Sequence, residues 1–305
     1  MRPVVSIIIP VFNREHLILE TLKSVQKQDF EKWVCFVIDD GSTDNTEEKV
    51  IHFIKNDARF IFIKRPEDRK KGASTCRNIG LEQVNTKYVQ FLDSDDLISK
   101  NKLAQQVSLL DKENDYTIAT CKWGTFNKKF QLFEGFRSYA EFNNVVEFLN
   151  ALTFSKGFFP PHSYLINKKI IEISGYWNEN ITLNDDGEFM LRMLCHVNRI
   201  VFADEAVAWY RTSTGSNLSA LDNIEKVERA ILSWKLIACN LHIRFGKEGD
   251  YFLNWSKNIF FINVKNNFPG LIDKYAKFFS IQLKEEKRKK RYNVRVIRKL
   301  NKLIR

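Results

Sequence analysis

Four short apolar runs divide the first third of the chain, and one helix-length segment separates each from the next: Val4 to Ile9, Trp33 to Ile38, Phe60 to Ile63 and Tyr88 to Leu92. The first is a β-branched run ended by Pro10, the pattern of a strand buried on both faces of a parallel sheet. Leu17, Leu19, Leu22 and Val25 recur at helical spacing after it. Thr43-Asp44-Asn45-Thr46 supplies N-cap chemistry for a helix running to about Lys55, and Ser74 to about Val84 completes the alternation. Strands alternating with helices at this interval predict a doubly wound α/β domain.

In such sheets ligands bind beyond the carboxyl ends of the strands. Three of those ends are polar: Pro10 to Arg14, Asp39 to Ser42, and Asp93 to Asp96. The last places three carboxylates within four residues, and they repel one another unless a cation or hydrogen-bond donors compensate. Oxygen ligands suit a hard ion, Mn²⁺ or Mg²⁺, which a diphosphate would help to hold. Asp93 and Asp95 share one direction if the extended backbone persists past Leu92. The plainer reading is an acidic loop capping a helix that begins near Ser99. The meeting of three polar ends at one sheet edge favours the site.

Further along, Leu103–Leu110 reads as a helix and Tyr116–Cys121 as a strand, with 122–139 a hairpin or loop. Val145–Phe154 is helical, the segment around Pro160-Pro161 is irregular, and Lys168–Ile173 is a short helix closed by Ser174-Gly175. Asp186–Cys195 is a helix with an acidic start, followed by two short strands at Arg199–Phe202 and Val207–Tyr210. From about Leu218 the pattern becomes helical: Glu225–Phe245, Phe252–Phe268 and about Leu271–Lys290. The division expected is residues 1–217 and a helical region 218–305.

The net charge is +11, but residues 284–305 hold eleven Lys or Arg against Glu285 and Glu286. The excess is therefore a basic appendage on a near-neutral body. No apolar run reaches the 18 or so residues needed to span a bilayer. The start is too quickly polar for a secretory signal. Five scattered cysteines read as reduced residues of a cytosolic protein, and five histidines lack zinc-ligand spacing.

Four stretches carry a resemblance: Val5-Ser6-Ile7-Ile8-Ile9-Pro10-Val11-Phe12-Asn13-Arg14, Ile38-Asp39-Asp40-Gly41-Ser42-Thr43-Asp44, Gly72-Ala73-Ser74-Thr75-Cys76-Arg77-Asn78-Ile79-Gly80 and Phe91-Leu92-Asp93-Ser94-Asp95-Asp96. In this order and spacing the chain resembles the family-2 glycosyltransferases over about residues 4–215. Asn184-Asp185-Asp186-Gly187-Glu188-Phe189 with Arg192 is similar to that family's Glu-Asp motif, with Asp in place of Glu. The resemblance implies a GT-A fold, a Rossmann-like doubly wound mixed sheet with, here, a helical C-terminal extension. It implies inverting transfer from a nucleotide-diphosphate-sugar, UDP by family frequency, to a saccharide or lipid-linked saccharide hydroxyl in bacterial surface polysaccharide synthesis.

Residue by residue, the resemblance implies that Pro10, Val11 and Phe12 line the base pocket and that Asp40 hydrogen-bonds the base. Arg77 faces the diphosphate or base, Asp93 and Ser94 the ribose side, and Asp95 the metal, with Asp96 a further candidate ligand. Asp186 is the catalytic base that takes the acceptor proton. The bland alternatives are a core aromatic for Phe12, a turn residue for Asp40, and a helix-surface cation for Arg77, with Lys70 and Lys71 serving instead. For Asp185 and Asp186 the alternative is a partner of the helix dipole. Glu188 points elsewhere on its helix. The family often has a histidine after a Tyr-Arg pair, whereas Tyr210-Arg211 is followed here by Thr212-Ser213-Thr214-Gly215-Ser216. His162 is either part of an acceptor pocket, expected within 122–183, or a packed histidine.

Val294, Ile297, Leu300 and Ile304 recur between basic residues, the pattern of an amphipathic helix drawn to an anionic membrane surface. The expected location is cytoplasmic, peripheral at the inner face of the cell membrane, with no nucleic-acid partner. The alternative function is a non-catalytic or nucleic-acid-binding protein acting through the tail. A nucleotidyltransferase would call for an early Gly-rich phosphate loop, which this chain lacks.

Overall fold

The computed structural model of the chain describes residues 2–155, 157–212, 221–289 and 291. Strands β1 (Val5–Val11), β2 (Trp33–Asp39), β3 (Phe60–Lys64) and β4 (Tyr88–Phe91) alternate with helices α1 (Ile18–Gln26), α2 (Thr46–Ile54) and α3 (Ala73–Glu82). The four strands run parallel in the order β3-β2-β1-β4. Side chains alternate across β1: Ile7 and Ile9 pack with Leu22 and Val107 on one face, and Ile8 packs with Ile79 and Phe189 on the other. That two-sided burial is why the run is apolar at almost every position.

β1 continues through Pro10, pairing it with Ile38 and Val11 with Asp39, so the strand outlasts its expected end. The Ile8 carbonyl accepts from Leu92 on the β4 side, and pairing with β4 stops at Ile8. Two residues on, Pro10 turns its nitrogen to that same side, where no partner strand asks for an N–H.

The second half adds β5 (Leu97–Ile98), α4 (Lys102–Leu110), β6 (Thr117–Phe126), β7 (Phe130–Leu132), α5 (Val145–Leu152), β8 (Leu165–Asn167), α6 (Lys168–Ser174), α7 (Asp185–Leu194) and β9 (Arg199–Arg211). The sheet order is β3-β2-β1-β4-β8-β6-β9-β5, with β7 paired to β6, and β8 is antiparallel to both its neighbours. The doubly wound mixed sheet is thus present. The ambiguous stretch 122–139 resolves partly into a hairpin, with Thr125 opposite Gln131. The two strands expected at 199–210 are one, bent where the pairing with β6 shifts between Cys121 and Lys122.

After residue 221 come α8 (Ile224–Phe245), α9 (Asp250–Asn267) and α10 (Gly270–Lys274), then helical backbone over 280–289. The single helix expected from 271 to 290 breaks at 275–279, and the break drops Phe279 between Phe260 and Phe261, with ring centroids 5.9 and 5.4 Å away. Among the described residues no helix is long and apolar enough to cross a membrane. Four of the cysteines are buried thiols and Cys239 is exposed. The amphipathic stretch at Val294–Ile304 and the loop from Ser213 to Ser216 lie outside the described residues.

Candidate active site

The ends of β1 and β2 are braced against each other. The Asn13 backbone N–H donates to Ser42 Oγ at 3.0 Å, and Asn13 Oδ1 accepts from the Thr43 N–H at 2.8 Å. Pro10 and Val11 are buried in the strand, and Phe12 emerges 37% exposed with the Lys71 ammonium 3.8 Å from its ring centroid. Asp39 turns inward and accepts from the Gly41 and Ser42 amides, which folds the turn. Asp40 Oδ1 accepts from Arg65 Nε at 2.5 Å and from the Gly72 N–H at 3.2 Å. Gly72 leads into α3, so Asp40 ties the β2 end to that helix. Lys70 is held away by the Glu179 carbonyl at 2.6 Å.

The extended form does not persist past Leu92. The chain turns at Ser94 and Asp95, with the Asp96 N–H donating to the Asp93 carbonyl at 3.1 Å, and β5 separates this turn from α4, which begins at Lys102 rather than near Ser99, so the acids do not cap that helix. The turn sends the three carboxylates in different directions. Asp93 meets Arg77 Nη2 at 2.8 Å; burial opposes its charge, but that guanidinium outweighs burial and holds its pKa below the ordinary value. Asp95 stays 31% exposed, 3.4 Å from Arg14 Nε, and burial followed by the charge of Asp93 raises its pKa. Asp96 is buried, accepts from the Arg211 N–H at 2.7 Å, and is raised well above the carboxylate range by burial and then by Asp93 and Asp95. Ser94 is buried within the turn.

His162, 1% exposed, lies behind this turn with Nδ1 3.2 Å from Asp96 Oδ2, and burial depresses its pKa to about 3. It is a packed imidazole whose charged form burial disfavours. Arg211 locks the turn from β9 through its Nε, which donates to the Asp95 carbonyl at 2.7 Å.

Opposite the turn stands the start of α7. Asn184 precedes it in the left-handed conformation, φ +56°, a backbone that asparagine tolerates better than most residues. Its amide donates to Ser233 Oγ of α8 at 3.0 Å, and Ser233 Oγ donates back to the Asn184 carbonyl at 3.0 Å. A Cβ at Gly187 would fall 2.2 Å from Asn184 Oδ1, so glycine follows the acidic pair for steric reasons. Asp185 accepts from Ser74 Oγ at 2.9 Å and from Arg77 Nη1 at 3.2 Å. Asp186 accepts from the Gly187 N–H at 2.8 Å, and burial, then the charge of Asp185, raises its pKa to about 6. Glu188 forms a two-point pair with Arg192, at 2.7 and 3.1 Å, and Arg192 in turn binds carbonyls at the end of α6.

Arg77 is thus a buried bridge, with its guanidinium 4.2 Å from the centroid of the Trp177 ring. Instead of facing an open diphosphate site, it joins Asp93 to Asp185. The residues that sequence reasoning passed over, Arg65, Trp177 and Ser233, act through partners 25, 100 and 49 positions away, and no local motif marks them. Among the described residues no three His, Cys, Asp or Glu side chains are grouped to hold a metal. Asp95 is about as exposed as Asp93, but among the described residues its side chain meets only Arg14, at 3.4 Å, and that lack of a short hydrogen bond fits an ion carried in by a diphosphate.

The family model described as glycosyl transferase family 2 matches residues 6–173. A β-1,3-glucosyltransferase of Escherichia coli, WfgD, named for UDP-Glc and α-D-GlcNAc-diphosphoundecaprenol, is 41% identical over 110 residues, covering 36% of this chain and 42% of that protein. The chain therefore aligns with less than half the length of that relative. A Campylobacter jejuni protein named GalNAc(5)-diNAcBac-PP-undecaprenol β-1,3-glucosyltransferase is 30% identical over 260 residues, 82% of this chain and 78% of its own. Among solved structures, S. aureus TarS 1–349 in complex with UDP-GlcNAc superposes with a TM-score of 0.73 at 21% identity, covering 87% of this chain and 74% of that one. At that identity the likeness is one of fold, the GT-A architecture.

Replacing Arg77 with methionine keeps its bulk and leaves two carboxylates without their cation. Breaking a buried pair costs about 3–5 kcal/mol, and the partial exposure of Asp93 and Asp185 puts the expected loss near the lower end. Urea denaturation should show it, and adding Asp185→Asn to Arg77→Met should recover part of it. A change below about 0.5 kcal/mol, the range of ordinary surface substitutions, would rule out the bridge as a stabilising element.

Proposed function

This chain belongs to glycosyl transferase family 2, and from that premise we propose that it moves a sugar from a UDP-sugar to a hydroxyl of a lipid-linked saccharide, with inversion, in bacterial surface polysaccharide synthesis. The observation that carries the reading is the place of Asp186: a carboxylate at the start of α7, beside an apolar cavity and next to Asp185, which Arg77 links to the acidic turn, with burial pushing its pKa up to about 6. A base with that affinity is ionised at neutral pH and still takes a proton readily. The names of the Escherichia coli and Campylobacter jejuni relatives, both undecaprenol-linked glucosyltransferases, support the class of acceptor and make UDP-glucose the first donor to try.

In this reading residues 1–217 form the transfer domain and 218–305 an appended helical region. Pro10, Val11 and Phe12 flank the base, which Asp40 orients by accepting a ring N–H. Asp93 and Ser94 lie on the ribose side. Arg77 acts as a positioning residue that holds Asp93 and Asp185. Asp95 would hold the Mn²⁺ or Mg²⁺ ion, which, when bound, offsets the charge growing on the departing diphosphate. Asp186 takes the proton of the acceptor hydroxyl as its oxygen bonds to the anomeric carbon; the bond from that carbon to the diphosphate breaks, and UDP leaves with the electron pair.

Calorimetric titration with UDP, GDP and dTDP, each with and without Mn²⁺, tests the donor site. UDP should bind with metal and lose that dependence in Asp95→Ala; equal affinity with and without the ion would remove Asp95 from the role. Transfer is then sought with UDP-glucose and a panel of sugar diphosphates carrying a short alkyl chain.

With an active pair in hand, Asp186→Asn should lower kcat about 10²- to 10⁴-fold, the usual worth of a general base. Protonation silences the base, so wild-type kcat should fall as pH drops through about 6 and level off above it. A flat profile from pH 5 to 8 would rule out Asp186 as the titrating base.

The tail extends the proposal to a membrane surface, on the strength of the +9 charge of residues 284–305 and their apolar period. Deleting those residues should release the protein from anionic vesicles in a flotation assay and leave UDP binding intact. Unchanged flotation would discard the anchor.

A further inference from the structure

A cavity of about 270 Å³ opens beside Asp186, and part of its wall comes from α8 and α9. The acceptor pocket was expected within 122–183, yet Trp234, Trp255 and Ser256 line this space together with Phe158, Asn184 and Asp186. The donor-side groups Phe12, Asp40, Asp93 and Asp95 take no part in the lining. The size falls just below the roughly 300 Å³ at which ligand pockets usually begin, and suits a ligand no larger than one sugar ring.

The chemistry of the wall narrows the ligand further. Aromatic and aliphatic side chains dominate it, with Asn184, Asp186 and Ser256 as the small polar members. A pyranose has an apolar C–H face and a polar rim. Rings that offer broad contact, with a few polar groups at one side, match that division. An isoprenoid chain would not place a hydroxyl at Asp186.

Trp255 is held for such contact. Gly157 lies against its indole with φ +83°, and a Cβ there would come within 2.6 Å of Cζ3, so the loop sets the ring and glycine lets it approach. The ring remains partly exposed. Resting on the function proposed above, we infer that α8 and α9 complete the acceptor subsite and that Trp255 is the platform on which the acceptor sugar stacks its apolar face. The helical extension then helps to choose the acceptor, alongside any part it plays in reaching a membrane.

The test uses the full chain, UDP-glucose and whichever sugar diphosphate the panel shows to be used. UDP release to water, without acceptor, reports the donor site; transfer reports both sites. Trp255→Ala should keep UDP binding and hydrolysis within about twofold of wild type while raising the acceptor KM at least tenfold, and Trp255→Phe should recover much of that loss. An unchanged acceptor KM in Trp255→Ala would overturn the platform. Hydrolysis and transfer falling together would also overturn it, because the effect would then be general damage. A wild-type protein that releases no UDP from any UDP-sugar would overturn the transfer reading itself, a result distinct from either.

Discussion

The Arg77 guanidinium joins the two halves of the site. One arm reaches Asp93 on the turn after β4, the other reaches Asp185 at the start of α7, and its carbon lies over Trp177. A buried cation is costly unless carboxylates meet it, and each of these carboxylates would repel its neighbours without it. Arginine suits the place because its planar fork addresses two partners at fixed angles and stacks on a ring at the same time. Trp177 is itself stacked on Phe189 of α7, with centroids 4.2 Å apart and planes within 6°, so the helix that carries Asp186 also sets the plane of the guanidinium. On the other side, α3 lies close against β1. A Cβ on Gly80 would be 2.5 Å from Ile8 Cγ2, a separation only glycine permits.

Around that cation, environment divides the acids. Asp93 is kept ionised by direct contact with Arg77. Asp186 sits one residue past the other contact, gains less from it, and rises to about 6. Asp96 is turned into the interior between the Arg211 amide and His162, whose own charge burial suppresses. Carboxylates gathered around one cation thereby acquire different proton affinities, which is how one kind of side chain can serve several roles.

The parts of this arrangement legible in the sequence are those set by local pattern. A two-sided strand has to be apolar throughout, so β1 to β4 and the polar groups at their ends stood out, and their order carried the fold. Short pieces that owe their existence to neighbours did not stand out. β8 has three residues and is a strand because β4 and β6 flank it. Whether Asp93 and Asp95 share one direction depends on the backbone staying extended past Leu92, and the turn at Ser94, held from β9 by Arg211, is a long-range contact that local pattern does not show. Pro10 looked like a terminator because its missing N–H matters only on a side that β4 has already left. The break before Phe279 is set by a core built from three helices, and composition gave no sign of it.

The same distinction explains why the C-terminal helices looked like an appendage. Their amphipathic pattern says that one face is buried, not what it is buried against. Ser233 has no motif around it, yet it holds both the amide and the carbonyl of Asn184, two residues before Asp186. A non-glycine residue in the left-handed region costs of order 1–3 kcal/mol and persists only where its surroundings enforce it. Here the enforcement comes from α8 on one side and the glycine space at 187 on the other. α8 also packs along α7 through Ile237 and Leu241, and its Arg244 donates to the Cys195 carbonyl at the far end of that helix, so the Ser233 contact is one of several that tie α8 to the helix carrying Asp186. The helical region is mechanically part of the site because the strained residue it restrains belongs to the turn that aims Asp186.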